Sequence, residues 1–291
     1  MKTSKLAKSY RIDNGKHFRI NDYDPADTGH WHSIENAREA LQDGIARMAD
    51  LQAKLYAQDC WSLLLIFQAM DAAGKDGTIK HVMSGVNPEG VQVYSFKTPS
   101  DTELQHDFLW RTTQHLPERG RIGIFNRSYY EEVLVVRVHP KVLDNEKLPP
   151  ALLTKNIWEE RFEDIRSFER HLARNGTVIR KFFLHLSKKE QKTRFLARLD
   201  EPEKNWKFSE ADIHEREYWD DYQKAFEDMI RHTATKHAPW YVIPADNKWF
   251  THLAVSAAIV ETLEELGLSY PKVDGEKRKR IQAARKLLTK K

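Results

Sequence analysis

The sequence has few of the features that mark secreted and membrane proteins. It contains a single cysteine, Cys60, in 291 residues, which excludes an intramolecular disulfide framework and a zinc site built from cysteines. No segment approaches the roughly 20 uninterrupted apolar residues that cross a bilayer. Residues 1–21 carry charges but no following apolar run, unlike a secretory signal. These absences predict a cytoplasmic protein with no membrane partner.

The charged residues are unevenly distributed along the chain. The formal net charge is only +4, but basic residues concentrate in 174–207 and 272–291, and acidic residues in 210–228 and 261–265. A basic cluster is typical of a site for anions, and several kinds of polyanion would satisfy it. The more common alternative is a solvated helix face. Charge alone therefore leaves both interpretations open.

Short apolar runs alternate with helical patterns over most of the chain. Strand-length runs occupy 62–68, 90–96, 121–125, 177–186 and 240–243. Helical periodicity occupies 33–58, 78–84, 102–116, 149–175, 188–199, 212–235 and 252–266. The run SLLLIFQ at 62–68 indicates a strand covered on both faces. The alternation predicts an α/β protein, a three-layer α/β/α sandwich with a central parallel sheet of about five strands.

We find no internal repeat and no low-complexity linker, so the chain is predicted to form a single domain over 1–291. Residues 1–33 are rich in turn formers and predict an N-terminal arm that lies over the body. The core is expected to span 34–270. Residues 271–291 predict a basic C-terminal helix that packs on the body or on a neighbouring subunit through its apolar residues, which are Ile281, Ala284, Leu287 and Leu288.

The most informative segment lies where the first long apolar strand turns into a helix, FQAMDAAGKDGTIK at 67–80. Small residues at such a junction expose backbone N–H groups and the positive end of a helix dipole to an anion. Lys75 adds a charge that can follow the phosphate oxygens during transfer. The strict signature has a glycine in place of Ala69 and a hydroxyl residue in place of Asp76. Despite these departures, we interpret 71–78 as a Walker A-like phosphate loop (P-loop).

The two departures suggest where a divalent cation would bind. Magnesium prefers oxygen ligands such as carboxylates, and Asp71 places a carboxylate inside the loop. We therefore expect Mg²⁺, with Mn²⁺ as a substitute, to be held by Asp71. Asp76 either binds the metal as well or only holds the loop together. The alternative for the whole segment is a strand–helix turn that uses its glycines for geometry alone.

A second polar segment follows the third of these strands, IFNRSYYEEVL at 124–134. Ligands of open α/β sheets bind at the carboxyl ends of the strands, so Asn126, Arg127 and Glu131 are placed to face the phosphate loop. A guanidinium suits bidentate contact with phosphate, which predicts that Arg127 holds the transferring group. Lys97, just past the second of these strands, lies at the same rim.

Positively charged side chains dominate 187–209, where Arg198, Lys204 and Lys207 are the best candidates to bind a polyanion. A linear polyanion offers charge along its length, so its receptor needs a basic groove rather than specific pockets. The chain has 13 histidines, yet none near the motifs has an obvious orienting carboxylate at short spacing. We therefore expect direct in-line transfer and no phosphohistidine intermediate.

Four segments closely resemble the polyphosphate kinase 2 family, whose members move phosphoryl groups between inorganic polyphosphate and nucleotides. They are FQAMDAAGKDGTIKHVMSGVNPEGVQVYSFKTPS at 67–100, GIFNRSYYEEVLVVRVHP at 123–140, KFFLHLSKKEQKTRFLARLDEPEKNWKFS at 181–209 and KHAPWYVIPADNKWF at 236–250. The resemblance covers most of 51–268. It implies a P-loop kinase-like (thymidylate-kinase-like) core with a helical lid at about 187–215. The form of 126–131 resembles the class III branch, which implies use of nucleoside mono- and diphosphates.

The resemblance also implies roles for individual residues. The catalytic set is Asp71, Lys75, Arg127 and Glu131, with the metal at Asp71 and Asp76. The set expected to bind polyphosphate is Gly74, Lys75, Lys80, Arg127, Lys188, Arg198, Lys204 and Lys207. The set expected to bind nucleotide is Asp76, Gly77, Thr78, Lys97, Asn126, Tyr130 and Glu131. Family members tend towards dimers and tetramers, so a homo-oligomer is expected, with no nucleic acid partner.

Two other functions share part of this pattern. An ATP-dependent nucleoside monophosphate kinase would use the same loop but would have no need for the long basic lid. A noncatalytic binder of polyanions or nucleic acid would not need Asp71 beside Lys75, because an acid in the groove repels the ligand unless a metal intervenes. An acid, a lysine and a metal together are typical of a catalytic site. The pattern therefore favours transfer from polyphosphate to ADP and AMP.

Overall fold

The computed structural model describes residues 6–289, and a six-stranded sheet forms its centre. The strands are β1 (Arg11–Ile12), β2 (Ser62–Gln68), β3 (Val91–Ser95), β4 (Ile122–Asn126), β5 (Thr177–His185) and β6 (Trp240–Pro244). Their order is β1-β6-β5-β2-β4-β3, and every neighbouring pair is parallel except β1 with β6. The predicted α/β fold is confirmed, with one strand more than the five expected.

Helices connect the strands and cover both faces of the sheet. Within 6–289 they are α1 (Ile34–Gln58), α2 (Lys75–Val82), α3 (Trp110–Thr113), α4 (Val135–Val138), α5 (Ile157–Arg174), α6 (Lys188–Asp200), α7 (Glu210–Glu215), α8 (Trp219–Thr233), α9 (Lys248–Glu265) and α10 (Gly275–Thr289). Short 3-10 turns lie between some of them, notably at Tyr129–Val133, Pro140–Glu146 and Pro202–Lys207. No helix in this part of the chain has the length and apolarity needed to span a bilayer.

The central strand β2 is buried along its whole length. Leu63, Leu65 and Phe67 pack with α1, α2 and α9 on one face of the sheet. Leu64 and Ile66 pack with α5 and α8 on the other face. Two covered faces give the predicted three layers and explain why the strand is apolar at almost every position.

The N-terminal arm contributes a strand that the sequence did not predict. β1 pairs antiparallel with β6, with Arg11 opposite Tyr241 and Ile12 opposite Trp240. A two-residue strand carries no alternation of polar and apolar residues long enough to reveal it. The described part of the arm therefore extends the sheet at one edge, and residues 1–5 of the predicted arm lie outside the described residues.

Three predicted helices differ from those observed. The helix expected at 102–116 is replaced by a short 3-10 turn and by α3, since Asp107 accepts a hydrogen bond from the N–H of Leu109 and starts a new turn. The helix expected at 212–235 is interrupted by a 3-10 turn at Arg216–Tyr218. The helix expected from 149 begins only at Ile157, because the 3-10 turn at Pro150–Leu152 ends at Leu153, whose ψ of 67° is not helical.

The C-terminal helix α10 has no buried residue. The predicted helix is confirmed over Gly275–Thr289, while Lys290 and Lys291 lie outside the described residues. Its predicted packing on the body is wrong for the described part of the helix, because every side chain there is exposed. Packing on a neighbouring subunit stays a prediction.

Two loops meet at the carboxyl edge of the sheet. β2 and β4 are neighbours in parallel register, with Phe67 opposite Asn126. The N–H of Arg127 donates to the carbonyl oxygen of Phe67 at 3.0 Å, which ties the start of the loop after β4 to the end of β2, where the other loop begins. The loop from β2 to α2 and the loop after β4 therefore lie side by side, as the strand order requires.

Candidate active site

The loop between β2 and α2 is shaped to receive an anion. Gly74 precedes the helix with φ 99°, a conformation that only glycine adopts at little cost. Its carbonyl accepts from the N–H of Thr78 at 2.9 Å and starts α2. The first turn leaves the N–H groups of Lys75, Asp76 and Gly77 without intrahelical acceptors, at the positive end of the helix dipole. The predicted phosphate loop therefore has the expected geometry.

Lys75 lies at the centre of this loop and is largely enclosed. Its Nζ donates to the carbonyl oxygen of Ala69 at 3.0 Å. Burial lowers the pKa of Lys75, and the charge of Arg127 lowers it further, while the acids Asp71, Glu131 and Asp76 act in the opposite direction. A bound phosphate would add negative charge beside the ammonium and favour its protonated form.

Arg127 joins the two loops through its side chain. Nη2 lies 3.0 Å from Asp71 Oδ1, and Nη1 lies 3.5 Å from Glu131 Oε2. Both acids raise the pKa of Arg127, Glu131 more strongly, against the effect of burial. The backbone of Arg127 has φ 63°, a left-handed conformation that a residue with a Cβ adopts only when its surroundings impose it. The predicted catalytic residues Asp71, Lys75, Arg127 and Glu131 are thus brought together.

Glu131 is carried by the 3-10 turn at Tyr129–Val133 and is enclosed beside Arg127. Burial raises the pKa of its carboxyl, and the charges of Arg127 and Lys75 oppose this change. The amide of Gln68, at the end of β2, lies 2.7 Å from Glu131 Oε1 and donates to it when its oxygen faces Ser128. Glu131 is therefore held in place by neighbours from both strands.

Tyr130 was predicted to bind nucleotide, and this prediction is wrong. Its side chain is fully buried behind the site, where the hydroxyl donates to Glu169 Oε1 at 2.7 Å. Lys181 is also fully buried and donates to Tyr130 Oη, to Glu169 Oε2 and to the carbonyl oxygen of Thr233, at 2.7–2.9 Å. The network anchors the turn that carries Glu131. A lysine inside the apolar run at 177–186 was the signal that could have revealed it.

Thr78 is not exposed to the loop either. Its side chain is buried and its N–H is used by Gly74, so the prediction that Thr78 contacts nucleotide is wrong. Gly77 has open space around its Cα and faces the site at the first turn of α2. The phosphate-loop motif correctly places Gly77 and Thr78 at the start of α2, but it does not predict which of the two packs into the core.

Asp76 and Asn126 connect the two loops at their exposed edge. Asn126 Nδ2 donates to Asp76 Oδ1 at 2.5 Å, so Asp76 holds the loops together in this structure. The metal role of Asp76 stays a prediction beside that of Asp71. Within residues 6–289, no three His, Cys, Asp or Glu side chains cluster as a preassembled metal centre.

The predicted lid consists of α6, the 3-10 turn at Pro202–Lys207 and α7. Two of its cations are paired within the lid, Arg198 with Asp212 at 2.9 Å and Lys204 with Glu201. Burial raises the pKa of Asp212, and the charge of Asp71 raises it further, because the two carboxylates face the same space. Asp212 is a residue of the site that sequence reasoning missed.

The remaining predicted cations are exposed. Lys207 lies 5.0 Å from the ring centre of Trp206, which is itself 78% exposed and therefore does not anchor the lid. Lys188 lies 5.9 Å from the ring centre of Trp219. Lys80 is exposed in the last turn of α2, away from its amino-terminal end. The structure therefore does not place Lys80 beside the N–H groups at the start of α2.

A cavity of about 210 Å³ opens beside Arg127 and Glu131. Lys97 is exposed and lines it, which agrees with the position predicted at the rim. Apolar and aromatic side chains form much of its wall, including Phe96 and Phe108. The cavity is placed to receive the organic part of a molecule whose phosphates reach Arg127.

Two acids that line this cavity share one arginine. Arg161 is buried and donates to Glu132 Oε2 at 2.9 Å and to Glu146 Oε2 at 2.5 Å. Burial raises the pKa of Glu132 to about 8, the charge of Glu146 adds to this, and Arg161 opposes it. Sequence reasoning missed the cluster, since its members lie 14 to 29 positions apart with no recognisable spacing.

Comparison with known proteins gives a consistent result. The family model described as Polyphosphate kinase 2 (PPK2) matches residues 32–269. An ADP-polyphosphate phosphotransferase of Rhodopseudomonas palustris is 55% identical over 284 residues, which cover 94% of this chain and 98% of that protein. An AMP/ADP-polyphosphate phosphotransferase of Meiothermus ruber is 47% identical over 268 residues, covering 91% and 95%.

A solved structure agrees over almost the whole fold. The crystal structure of Polyphosphate Kinase 2 from Arthrobacter aurescens TC1 has a TM-score of 0.89 and 40% sequence identity. The match covers 99% of this chain and 98% of that chain. The similarity therefore includes the lid and the described part of the arm as well as the sheet.

Proposed function

This chain belongs to the polyphosphate kinase 2 family, and from this premise we propose how its residues carry out phosphoryl transfer. It is a phosphotransferase, a polyphosphate-dependent nucleotide kinase. Our proposal concerns the finer points, namely the acceptors, the metal and the residues that perform each step. Its cytoplasmic location and its assembly into dimers or tetramers stay predictions.

One observation gives the strongest support for these residue roles in phosphoryl transfer. Arg127 lies between Asp71 and Glu131, beside Lys75 and the free N–H groups at the start of α2. Phosphoryl transfer requires positive charge around the transferring group and alignment of donor and acceptor, with little covalent chemistry by the protein. A site with one ammonium, one guanidinium and a helix amino terminus meets that requirement.

In the proposed reaction, the terminal phosphoryl group of polyphosphate passes directly to a terminal phosphate oxygen of the nucleotide. One P–O bond forms to the acceptor while one P–O bond to the donor breaks, and the donor leaves one unit shorter. Lys75 and Arg127 hold the transferring group, and the N–H groups of Gly74 to Gly77 bind its oxygens. No covalent enzyme intermediate is needed, which agrees with the absence of a histidine among these residues.

The loop carboxylates suit a magnesium ion. Asp71 and Asp76 each use Oδ1 for a hydrogen bond, and within 6–289 neither Oδ2 has a partner. Mg²⁺ is usually held by one or two carboxylates together with substrate phosphates, and this donor set fits. When bound, the ion would neutralise phosphate charge. Asp71, aligned by Arg127, is the first residue that would hold it.

We propose that both nucleoside diphosphates and monophosphates are acceptors. A monophosphate reaches less far from the cavity towards Lys75 than a diphosphate, so its single phosphate must be held near Glu131. Glu131 lines the cavity and contacts Arg127. Its carboxyl, whose pKa is raised by burial, can share a proton with a phosphate oxygen. The names of the Rhodopseudomonas and Meiothermus relatives are consistent with such acceptors.

The test uses purified protein with Mg²⁺ and polyphosphate as donor, and it measures ATP formed from ADP and ADP formed from AMP. Lys75→Met should lower kcat by roughly 100-fold or more with both acceptors, since it removes a charge that acts in the transition state. Glu131→Gln should lower kcat/KM about tenfold more for AMP than for ADP. Glu118→Gln is the matched control, because that side chain is 72% exposed before β4.

Two results would contradict the proposal. Turnover with ATP but not with polyphosphate would instead indicate an ATP-dependent nucleoside monophosphate kinase. Equal losses for AMP and ADP in Glu131→Gln would remove the assigned role of Glu131 in the use of monophosphates.

A further inference from the structure

Arg194 lies in the middle of α6 and does not face the solvent with the other lid cations. Its side chain is buried, and all five of its N–H donors are used within the protein. Nη1 donates to the carbonyl oxygens of Ala72 at 3.0 Å and Ala73 at 2.9 Å. Nη2 donates to those of Ala245 at 2.6 Å and Asp246 at 3.1 Å.

The remaining donor, Nε, lies 2.9 Å from Glu190 Oε1 one helical turn earlier. Because no N–H group is left for a ligand, Arg194 does not act as a polyphosphate cation in this arrangement. It connects the phosphate loop with the segment between β6 and α9. Only the planar fork of a guanidinium reaches carbonyl groups on both sides at once.

The contact with Ala73 decides where the next N–H group points. In a trans peptide the C=O of one residue and the N–H of the following residue point in opposite directions. Since the carbonyl of Ala73 points to Arg194, the N–H of Gly74 points to the side of the peptide opposite Arg194. Within residues 6–289 this N–H has no hydrogen-bond acceptor. It is therefore free to bind a phosphate oxygen.

The same stretch of backbone is under strain. Ala72 has φ 63° and Gly74 has φ 99°, so two of three consecutive residues are left-handed. A non-glycine residue in this region costs of order 1–3 kcal/mol unless its surroundings hold it. Arg194 accounts for that restraint at Ala72, whose carbonyl it binds directly.

A second contact ties the same helix to the loop. Gln191 is buried and its Nε2 donates to the carbonyl oxygen of Asp71 at 3.0 Å. Gln191 Oε1 in turn accepts from Arg216 at 2.8 Å. Successive carbonyls of the loop, those of Asp71, Ala72 and Ala73, are thus bound by one face of α6. The base of the lid and the phosphate loop form one hydrogen-bonded unit.

We propose that Arg194 is a positioning residue for phosphoryl transfer. It orients the Ala73–Gly74 peptide so that the N–H of Gly74 faces the phosphoryl group. This inference rests on the proposed function of the loop. It differs from the expectation that the basic residues of α6 bind polyphosphate, because Arg194 acts through the backbone and touches no substrate.

The first experiment replaces the fork while keeping the charge. Arg194→Lys retains one cation but cannot bind carbonyls on both sides, and it should lower kcat by about 100-fold, the usual effect of losing one aligned backbone donor. Glu190→Gln is the matched control, since its amide oxygen still accepts from Nε and the four carbonyl contacts remain. It should stay within about twofold of the wild type. Melting temperatures identify any variant that is not folded.

The second experiment separates positioning from direct contact. A cation that contacts a polyanion releases bound counterions, so removing it reduces the slope of log K against log salt by about 0.7, by analogy with single-stranded nucleic acid. Arg194→Met should leave the slope for polyphosphate binding unchanged, whereas Lys207→Gln, an exposed lid cation, should reduce it. Polyphosphate of one fixed chain length is the probe.

A third variant alters the same peptide while Arg194 itself is kept. Gly74→Ala places a side chain at φ 99°, where its Cβ would have only Arg194 Nη1 within 4 Å, at 3.7 Å. No contact with another residue explains a loss, and the strain of a side chain at φ 99° acts on this peptide itself, so a fall in kcat in a folded variant reports a change in its orientation. The double variant combines Gly74→Ala with Arg194→Lys. Its kcat should lie no more than about twofold below that of the less active single variant, because both changes act on the Ala73–Gly74 peptide.

The outcomes are distinct from those of the proposed function. A wild-type protein inactive with polyphosphate contradicts the function itself. An active wild type with an equally active, folded Arg194→Lys overturns the role of Arg194. A reduced salt slope in Arg194→Met, or additive losses in the double variant, overturns it as well.

Discussion

We expect the acid pair in the wall of the cavity, Glu132 and Glu146, to make the stability of the protein depend on pH. Glu132 and Arg161 are both buried, and Arg161 bridges Glu132 and Glu146. One guanidinium cannot neutralise two buried carboxylates, so a proton is retained between them. This is why burial and Glu146 raise the pKa of Glu132 from 4.5 to about 8. Glu132→Gln replaces the protonated acid by a neutral group of the same shape.

The sign and size of the effect follow from proton binding. Between pH 4.5 and 8 the folded protein keeps a proton that the unfolded chain has released, so the free energy of unfolding falls as pH rises. One proton corresponds to about 1.4 kcal/mol per pH unit. From pH 6 to pH 8 the loss is about 2 kcal/mol, since the group is half titrated at the upper limit. Above pH 9 this contribution is absent.

Urea unfolding at pH 6, 7, 8 and 9 measures the effect. Between pH 6 and pH 8, the free energy of unfolding should fall by about 2 kcal/mol more for the wild type than for Glu132→Gln. In the Glu132→Gln variant, the oxygen of the new side-chain amide accepts from Arg161, and its N–H group donates to Glu146. Glu118→Gln, at an exposed acid, should follow the wild type. Parallel curves for the wild type and Glu132→Gln would refute the retained proton.

Two further predictions concern buried lysines. Lys181→Met should lower the free energy of unfolding in urea by about 3–5 kcal/mol, because Glu169 is left as an unpaired buried charge; a loss below about 1 kcal/mol would contradict this. Lys75 must be charged to hold a phosphate and burial lowers its pKa, so kcat/KM should fall as pH rises through that lowered pKa. An active Lys75→Arg variant should show the alkaline fall in kcat/KM at higher pH than the wild type. If the fall occurs at the same pH in both proteins, a group other than Lys75 causes it.

The parts of the fold that the sequence predicts are those where one local pattern decides the structure. β2 agrees with its predicted bounds because every side chain from Ser62 to Gln68 is buried. Ser33 precedes the apolar periodicity of α1 and is a residue type that favours the N-cap, and its side chain accepts from the N–H of Asn36. The loops after β2 and β4 were found because a charged or small residue directly after a buried strand is unusual.

The parts that could not be predicted depend on contacts distant in sequence. Tyr130 belongs to the same motif as Glu131, but the 3-10 turn sends its side chain to Glu169, 39 positions away. Arg194 resembles any other cation of the lid in sequence, and only its carbonyl partners at 72–73 and 245–246 reveal its role. A spacing rule identifies which segment is functional, but the direction of each side chain comes from packing.

The pairing of the lid cations bears on how the site distinguishes a long polyanion from a single phosphate. Arg198 is held by Asp212 and Lys204 by Glu201, so an incoming phosphate competes with a carboxylate for the charge of either cation. One phosphate gains little from such an exchange, because a new ion pair replaces an old one at similar solvent exposure. A chain of phosphates makes several exchanges after a single association step, so its later contacts carry no further entropic cost of binding. We therefore expect the lid acids to weaken the binding of phosphate and short polyphosphates more than that of long chains.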